Sequence, residues 1–296
     1  MAYKTIKGCF FSILSAVIFG SMPLMAKYIY ADGVNAVSLV FLRNLLSLVP
    51  LAMLAYREKK TLAIPLSLIP SVSLIALLGC CVTPMLLFSS YRFMASGLAT
   101  VFHFAYPSFV ILAEILFLRK RVRGCSIASV LLCALGISLF YTPQDAFSLT
   151  GSLLALFSGV TFAGYVVLLS LFDKRPLSGF LLSFYITLAS SIAALCICIA
   201  TNNLVLPATF SGWGLCILFS LLVTTCAVVL FQKSIFLIGG AATSILGTLE
   251  PITSVIIGIV VFNEPFGVRI LIGTVLVLVA SVITVIFNVL KKEESP

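Results

Sequence analysis

The chain has 296 residues, of which 61% are hydrophobic and only 9% charged, with a formal charge of +9. A soluble domain holds about 25% charged residues, because its surface must face water. This chain has too few to cover such a surface, so lipid must solvate most of it. In lipid every backbone N–H and C=O must be paired internally, which leaves helices or a closed barrel. The apolar runs are about 18 to 24 residues long and nearly continuous, whereas barrel strands alternate over about ten. The composition predicts an all-α, polytopic membrane protein.

In chain order, the runs cover residues 8–29, 35–55, 67–89, 97–118, 125–142, 150–172, 178–200, 212–234, 240–262 and 268–290. Each is long enough to cross about 30 Å at about 1.5 Å per residue. The connections are short, so no soluble domain is inserted. Lys4 and Lys7 before the first run resemble the start of a secretory signal. The apolar stretch continues past a signal core, through Met22-Pro23-Leu24-Met25, and it has a counterpart later in the chain, so no cleavage is expected.

Lys and Arg set the orientation. With the N-terminus inside, the inner side holds Lys4, Lys7, Arg57, Lys59, Lys60, Arg119, Lys120, Arg121, Arg123, Lys174, Arg175, Lys233, Lys291 and Lys292. The outer side keeps Lys27, Arg92 and Arg269, while Arg43 lies inside the second span. Both termini are predicted cytoplasmic, in a bacterial-type plasma (inner) membrane, with 291–296 as a tail. The same clustering explains the basic charge without nucleic acid. The nine cysteines fall in or beside apolar runs without zinc-type spacing. They read as small buried apolar residues, and neither a metal nor a cofactor is expected.

The two halves overlay. A shift of 144 residues places Pro107 on Pro251, Ala99-Thr100 on Thr243-Ser244, Leu77-Leu78 on Leu221-Leu222 and Ser90 on Ser234. A shift of 143 places Ser15-Ala16-Val17-Ile18-Phe19-Gly20 on Ser158-Gly159-Val160-Thr161-Phe162-Ala163. Residues 1–142 and 149–290 are thus read as two five-span repeats. An odd span number makes the second copy enter from the opposite side, so the repeats are inverted. Inverted repeats can exchange conformations, with substrate near the midplane between them.

The Phe19-Gly20-Ser21 segment, Phe41-Leu42-Arg43, the Gly/Ala-rich start of span 9, and Leu249-Glu250-Pro251 followed by Phe262-Asn263-Glu264 carry a resemblance. The chain resembles the EamA-type ten-span transporters of the drug/metabolite transporter superfamily over nearly its whole length. The resemblance implies two inverted five-helix repeats and export of amino acids or related metabolites. The superfamily also moves nucleotide-sugars, purines and cofactors. The first half departs from the pattern: Tyr106-Pro107 stands in place of Glu-Pro, and Arg119-Lys120 stands where the closing Glu would be.

Ionisable groups inside spans are costly and mark candidate sites. Glu250, near the middle of span 9, is either a proton, cation or amine site or a hydrogen-bonded carboxyl in a helix kinked by Pro251. Arg43 either binds a substrate carboxylate through its planar fork or locks helices by pairing with Glu250 or backbone carbonyls; the family's frequent basic residue in this region implies the structural role. His103, the sole histidine, either handles protons or is a satisfied interior residue. It shares a helical stripe with Pro107, Val110 and Glu114, with Tyr106 beside it. Glu114 is read as an interfacial partner of the basic loop at 119–123. Tyr91, Tyr106, Tyr165 and Tyr185 are cavity candidates, because a buried hydroxyl needs a partner. Ser21 joins them from the family-like segment. Gly20, Pro23, Pro107 and Pro251 are candidate kinks or gates.

The chain contains no Walker motif, no H-E-x-x-H and no G-x-S-x-G. The expected function is a secondary transporter of small metabolites rather than an ATPase or an enzyme. The alternative is a facilitative uniporter or antiporter for a nucleotide-like or cofactor-like solute. The expected partners are the bilayer, a small solute and protons, in a monomer or weak dimer.

Overall fold

The computed structural model describes residues 2–59, 62–117, 124–139, 148–172, 177–264 and 267–293. All regular structure among them is helical. Span 1 comprises α1 (Ala2–Gly20) and α2 (Met22–Ala31), and span 2 is α3 (Ala36–Lys59). Span 3 runs through α4 (Ile69–Ala76), a π segment at Leu77–Val82 and α5 (Thr83–Ser90). Span 4 is split into α6 (Ser96–His103) and α7 (Tyr106–Leu116). The next three are α8 (Gly124–Ser138), α9 (Leu149–Phe172) and α10 (Gly179–Ala200). Span 8 begins with α11 (Phe210–Phe219) and a π segment at Ser220–Ala227, and passes into α12 (Val228–Gly247). Span 9 finishes with α13 (Leu249–Phe262), and span 10 is α14 (Val268–Glu293).

The helix α12 holds the junction that the sequence places between residues 234 and 240. Ser234 and Thr243 would lie about 13 Å apart along a straight helix. Their hydroxyl oxygens are 2.9 Å apart. The chain therefore reverses between them while keeping a helical hydrogen-bond pattern, and spans 8 and 9 are separate crossings.

Six stretches are long and apolar enough to cross a bilayer as they stand: Lys4–Ala31, Ala36–Glu58, Leu66–Ser90, Leu149–Leu169, Gly179–Ala200 and Phe210–Ser234. Shorter apolar helices lie at Leu249–Phe262 and Val268–Ala280. The outside of the bundle is apolar: Val49 is 68% exposed and Val260 73%. The inside carries hydroxyls, with Ser15, Ser47, Ser158, Ser190 and Ser220 fully buried. This is the reverse of a soluble protein and follows from lipid being the outer solvent.

Those hydroxyls have identifiable work. A π segment leaves helical carbonyls without their usual i+4 partner. Neighbouring spans supply donors at and beside both segments. Ser190 donates to Ala76 O at 2.9 Å, Asn44 to Cys80 O at 3.2 Å, Ser47 to Ser220 O at 3.0 Å and Ser15 to Ala227 O at 2.8 Å. The segments occupy equivalent places in spans 3 and 8, since 77–82 shifted by 144 falls within 220–227.

The packing has the same exchange symmetry. Helices α3 and α10 pack together, as do α8 and α14, and α6 and α13; each pair joins repeat counterparts. α1 packs on α12 as α9 packs on α5, and α1 meets α13 as α9 meets α6 and α7. The fold is therefore all-α and polytopic, ten spans in two inverted five-helix repeats.

Candidate functional site

The site is built around two interrupted helices. Span 4 breaks at Phe104 and Ala105, and α7 restarts with Tyr106 and Pro107. Span 9 breaks at Thr248, and α13 restarts with Leu249, Glu250 and Pro251. Proline in the first turn suits a helix start, because its missing N–H would have no intrahelical acceptor there. Both restarts fall at the same repeat position and leave helix N-termini deep in the bundle. An N-terminus carries partial positive charge, which favours the Glu250 carboxylate in the first turn of α13.

Two glycines let other spans reach these breaks. A Cβ on Gly20 would lie 2.5 Å from Thr253 Cβ and 2.6 Å from Glu250 O. A Cβ on Gly159 would lie 2.8 Å from His103 O. Span 1 is thus held against the break in span 9, and span 6 against the break in span 4.

Between the breaks lies a cavity of about 100 Å³. Arg43, His103, Tyr106, Tyr165 and Glu250 line it, together with Phe19, Phe88, Phe104, Phe162 and Phe231. Arg43 is only 6% exposed. Its guanidinium carbon stands 5.6 Å from the centroid of the Phe88 ring. Its Nε is buried without a hydrogen-bond partner among the described residues. No described carboxylate lies within ion-pair distance of it, and the one ion pair among the described residues does not involve Glu250 either. The expected alternative of an Arg43–Glu250 lock is therefore not formed. His103 Nδ1 lies 2.8 Å from Ser158 Oγ, and its ring packs on Phe162 at 5.3 Å.

Other sequence candidates lie elsewhere. Tyr185 donates to Leu62 O at 2.6 Å and does not line this cavity. Tyr91 is buried against Phe88, with ring centroids 5.9 Å apart, one layer behind the wall. Ser21 donates to Ile18 O at 2.7 Å, closing the end of α1. Gly20 and Pro251 sit at the span 1–span 9 contact, and Pro23 opens α2 just after the break at Ser21. The side chains of Pro107 and Glu114, the 118–123 loop and Asp145 lie outside the described residues.

Sequence reading missed the phenylalanines of the wall, although the repeat carried their signal. Phe19 and Phe162 are counterparts in the 143-residue overlay, and both line the cavity. So do Met22 and Tyr165 under that shift, and His103 and Gly247 under 144. A cavity on the exchange axis should be lined in such pairs.

It also missed a polar clasp. Lys27 Nζ lies 2.6 Å from Glu264 Oε1 and 3.9 Å from the Phe262 ring centroid. The same Oε1 accepts from Ser96 N at 2.9 Å and Ser96 Oγ at 2.8 Å, while Oε2 accepts from Gly97 N at 3.2 Å. Asn263 ends α13 in a left-handed conformation, φ 51°, and turns Glu264 back over the bundle. One carboxylate from the second half therefore caps α6 of the first half and holds α2. Burial pushes its pKa up, but the hydrogen bonds from Lys27 and Ser96 and the Lys27 charge outweigh that and hold it below the ordinary value. A second contact lies at the same end: Thr209 Oγ1 donates to Asp32 Oδ1 at 2.6 Å. That bond lowers the Asp32 pKa.

A model of the EamA-like transporter family matches residues 6–142 and again 149–286. The chain belongs to the EamA-like transporter family. Two successive matches of one family model are the repeat seen in the sequence and in the packing. This EamA-like chain also superposes on a solved protein crystal structure with a TM-score of 0.66, over 100% of both chains. At 17% identity that likeness shows the fold alone. No curated protein matches the chain. Family membership makes it a multi-pass membrane transporter of small solutes.

Proposed function

We propose that this chain is a secondary transporter that exports small zwitterionic metabolites, amino acids among them, across the plasma (inner) membrane by alternating access. The observation that carries this reading is that Arg43 and Glu250 line one cavity with no ionic partner for either among the described residues. A buried charge is tolerated when it is paired. A solute with a carboxylate for the Arg43 fork and an ammonium for Glu250 supplies both partners at once. The aromatic wall accommodates an apolar side chain. The cavity, about 100 Å³, is smaller than an engineered cavity of about 150 Å³ that takes up benzene, which favours a small solute over a nucleotide-like one.

The drive is a proton gradient or the solute's own gradient. Inverted halves supply the motion, and a monomer suffices because both are on one chain. The test is counterflow in proteoliposomes with labelled amino acids. Saturable, trans-stimulated flux is expected; non-saturating flux without trans-stimulation would sink the transporter reading. For the orientation, Leu206→Cys, between α10 and α11, is expected to react with an impermeant thiol reagent from outside the cell. Labelling only after permeabilisation would reverse the topology.

A further inference from the structure

The contact between His103 and Ser158 fixes more than a position. Ser158 sits on α9 with its Oγ 2.6 Å from Ala155 O, one turn back. Two oxygens approach that closely only with a hydrogen between them, and the carbonyl has none to give. The hydroxyl hydrogen therefore points at Ala155 O. The same Oγ lies 2.8 Å from His103 Nδ1. With its one hydrogen already used, Ser158 can only accept there, and Nδ1 must carry the hydrogen. In the neutral ring Nε2 is then bare.

The surroundings keep the ring in place. His103 is 5% exposed, and it packs against the touching rings of Phe162 at 5.3 Å and Tyr106 at 6.0 Å. Gly159, next to Ser158, brings the α9 backbone against His103 O. His103 lines the cavity. With Nδ1 engaged by Ser158, Nε2 is the polar ring atom left for a solute in the cavity that His103 lines.

We propose that Ser158 is a positioning residue that locks His103 as its Nδ1–H tautomer, so that Nε2 is a hydrogen-bond acceptor selecting solutes with an O–H or N–H donor on that side. The selectivity part deepens the small-solute reading above, on which it rests. A site with a fixed acceptor favours a donor-bearing solute over its isostere, because the isostere leaves the acceptor dry and unpaired.

The chain has a single histidine, so ¹⁵N-histidine labelling of the full-length protein, purified through a tag without histidine, gives one pair of ring signals. Without any solute, Nδ1 is expected to appear protonated and Nε2 bare. An Nε2–H ring, or a ring protonated at both nitrogens near neutral pH, would overturn the proposal. In Ser158→Ala the fixed tautomer is expected to give way to a mixture, and in Ser158→Thr to persist; an unchanged spectrum in Ser158→Ala removes Ser158 from the role. The second arm measures thermal stabilisation by L-threonine and by L-valine, isosteres that differ in a hydroxyl donor. L-Threonine is expected to half-saturate at about tenfold lower concentration than L-valine, with the ratio falling towards one in Ser158→Ala and kept in Ser158→Thr. Equal concentrations in the unmodified chain would overturn the selectivity. If neither amino acid stabilises the protein, the amino-acid reading fails, and the spectrum alone upholds or overturns the tautomer.

Discussion

Spans 4 and 9 are repeat counterparts that share a backbone and differ in chemistry. Each is interrupted at the same position, and each restarts with a proline in its first turn. Span 9 places Glu250 at the restart, where span 4 has Tyr106; span 4 places His103 before its break, where span 9 has Gly247. On the proposed alternating-access mechanism the backbone feature is common because both halves perform the same rearrangement. The side chains then diverge because one solute on the axis presents different groups to the two sides.

That comparison can be broken most decisively at the restarts. Glu250→Gln keeps the shape and removes the charge; transport is expected to fall tenfold to a hundredfold, or about 1.4 to 2.7 kcal/mol, with the melting temperature little changed. Tyr106→Phe, its counterpart, is expected to lose no more than about threefold, a fraction of a kcal/mol. Equal losses in the two variants would mean that the halves work alike, and wild-type flux in Glu250→Gln would take the carboxylate out of the mechanism.

A second way to sharpen it is to fill the contacts at the breaks. Gly20→Val drives a branched side chain into Thr253 and the Glu250 carbonyl. Overpacking of this kind costs about 1–3 kcal/mol. Backbone on the far side cannot move aside cheaply, so a fall in thermal stability accompanied by lost transport is expected. Gly159→Val is expected to act likewise through His103 O. If detergent-solubilised protein melts unchanged in both, the close approaches are not structural.

Arg43→Lys keeps a positive charge but loses the planar fork. The concentration for half-maximal flux is expected to rise about tenfold, or about 1.4 kcal/mol, for carboxylate-bearing solutes and to stay constant for amines without a carboxylate. A uniform rise across both classes would mean that Arg43 holds helices rather than solute.

A smaller effect than at Arg43 is expected at the clasp, which the first half cannot reproduce because Lys120 stands at the position matching Glu264. Hydrogen bonds to a charged group contribute about 1.5–3 kcal/mol at most, and Lys27 is 27% exposed, so Glu264→Gln is expected to cost about 1 kcal/mol. The sign with pH follows from the lowered pKa of Glu264. Its contribution is complete above the ordinary carboxylate range and is lost as pH falls through the lowered value. Acid melting curves of the unmodified chain and Glu264→Gln should therefore converge. Curves that stay parallel would remove the clasp from stability.

Much of this was legible before folding. Pro107 and Pro251 marked both interruptions, and the ionisable residues within spans pointed to Arg43, His103 and Glu250. The repeat located Phe19 and Phe162 together, although their place in the wall needed the packing. Lys27 and Glu264 are 237 positions apart, and His103 and Ser158 are 55 apart. A lysine near a span end and a serine in an apolar helix give no sign of such partners.

The sequence by itself determined the solvent, the class and the symmetry. A chain with 9% charged residues cannot cover itself for water, and five-span repeats must invert. These depend on composition, run length and period, which are local quantities. The tertiary structure decided which polar atoms meet: that Arg43 and Glu250 share a cavity without pairing, that Glu264 caps a helix of the other half, and that Ser158 holds His103. Such pairings depend on which faces of ten helices turn towards one another. That is settled by the filling of the interior and the pairing of every buried donor and acceptor at once, a condition no single segment carries.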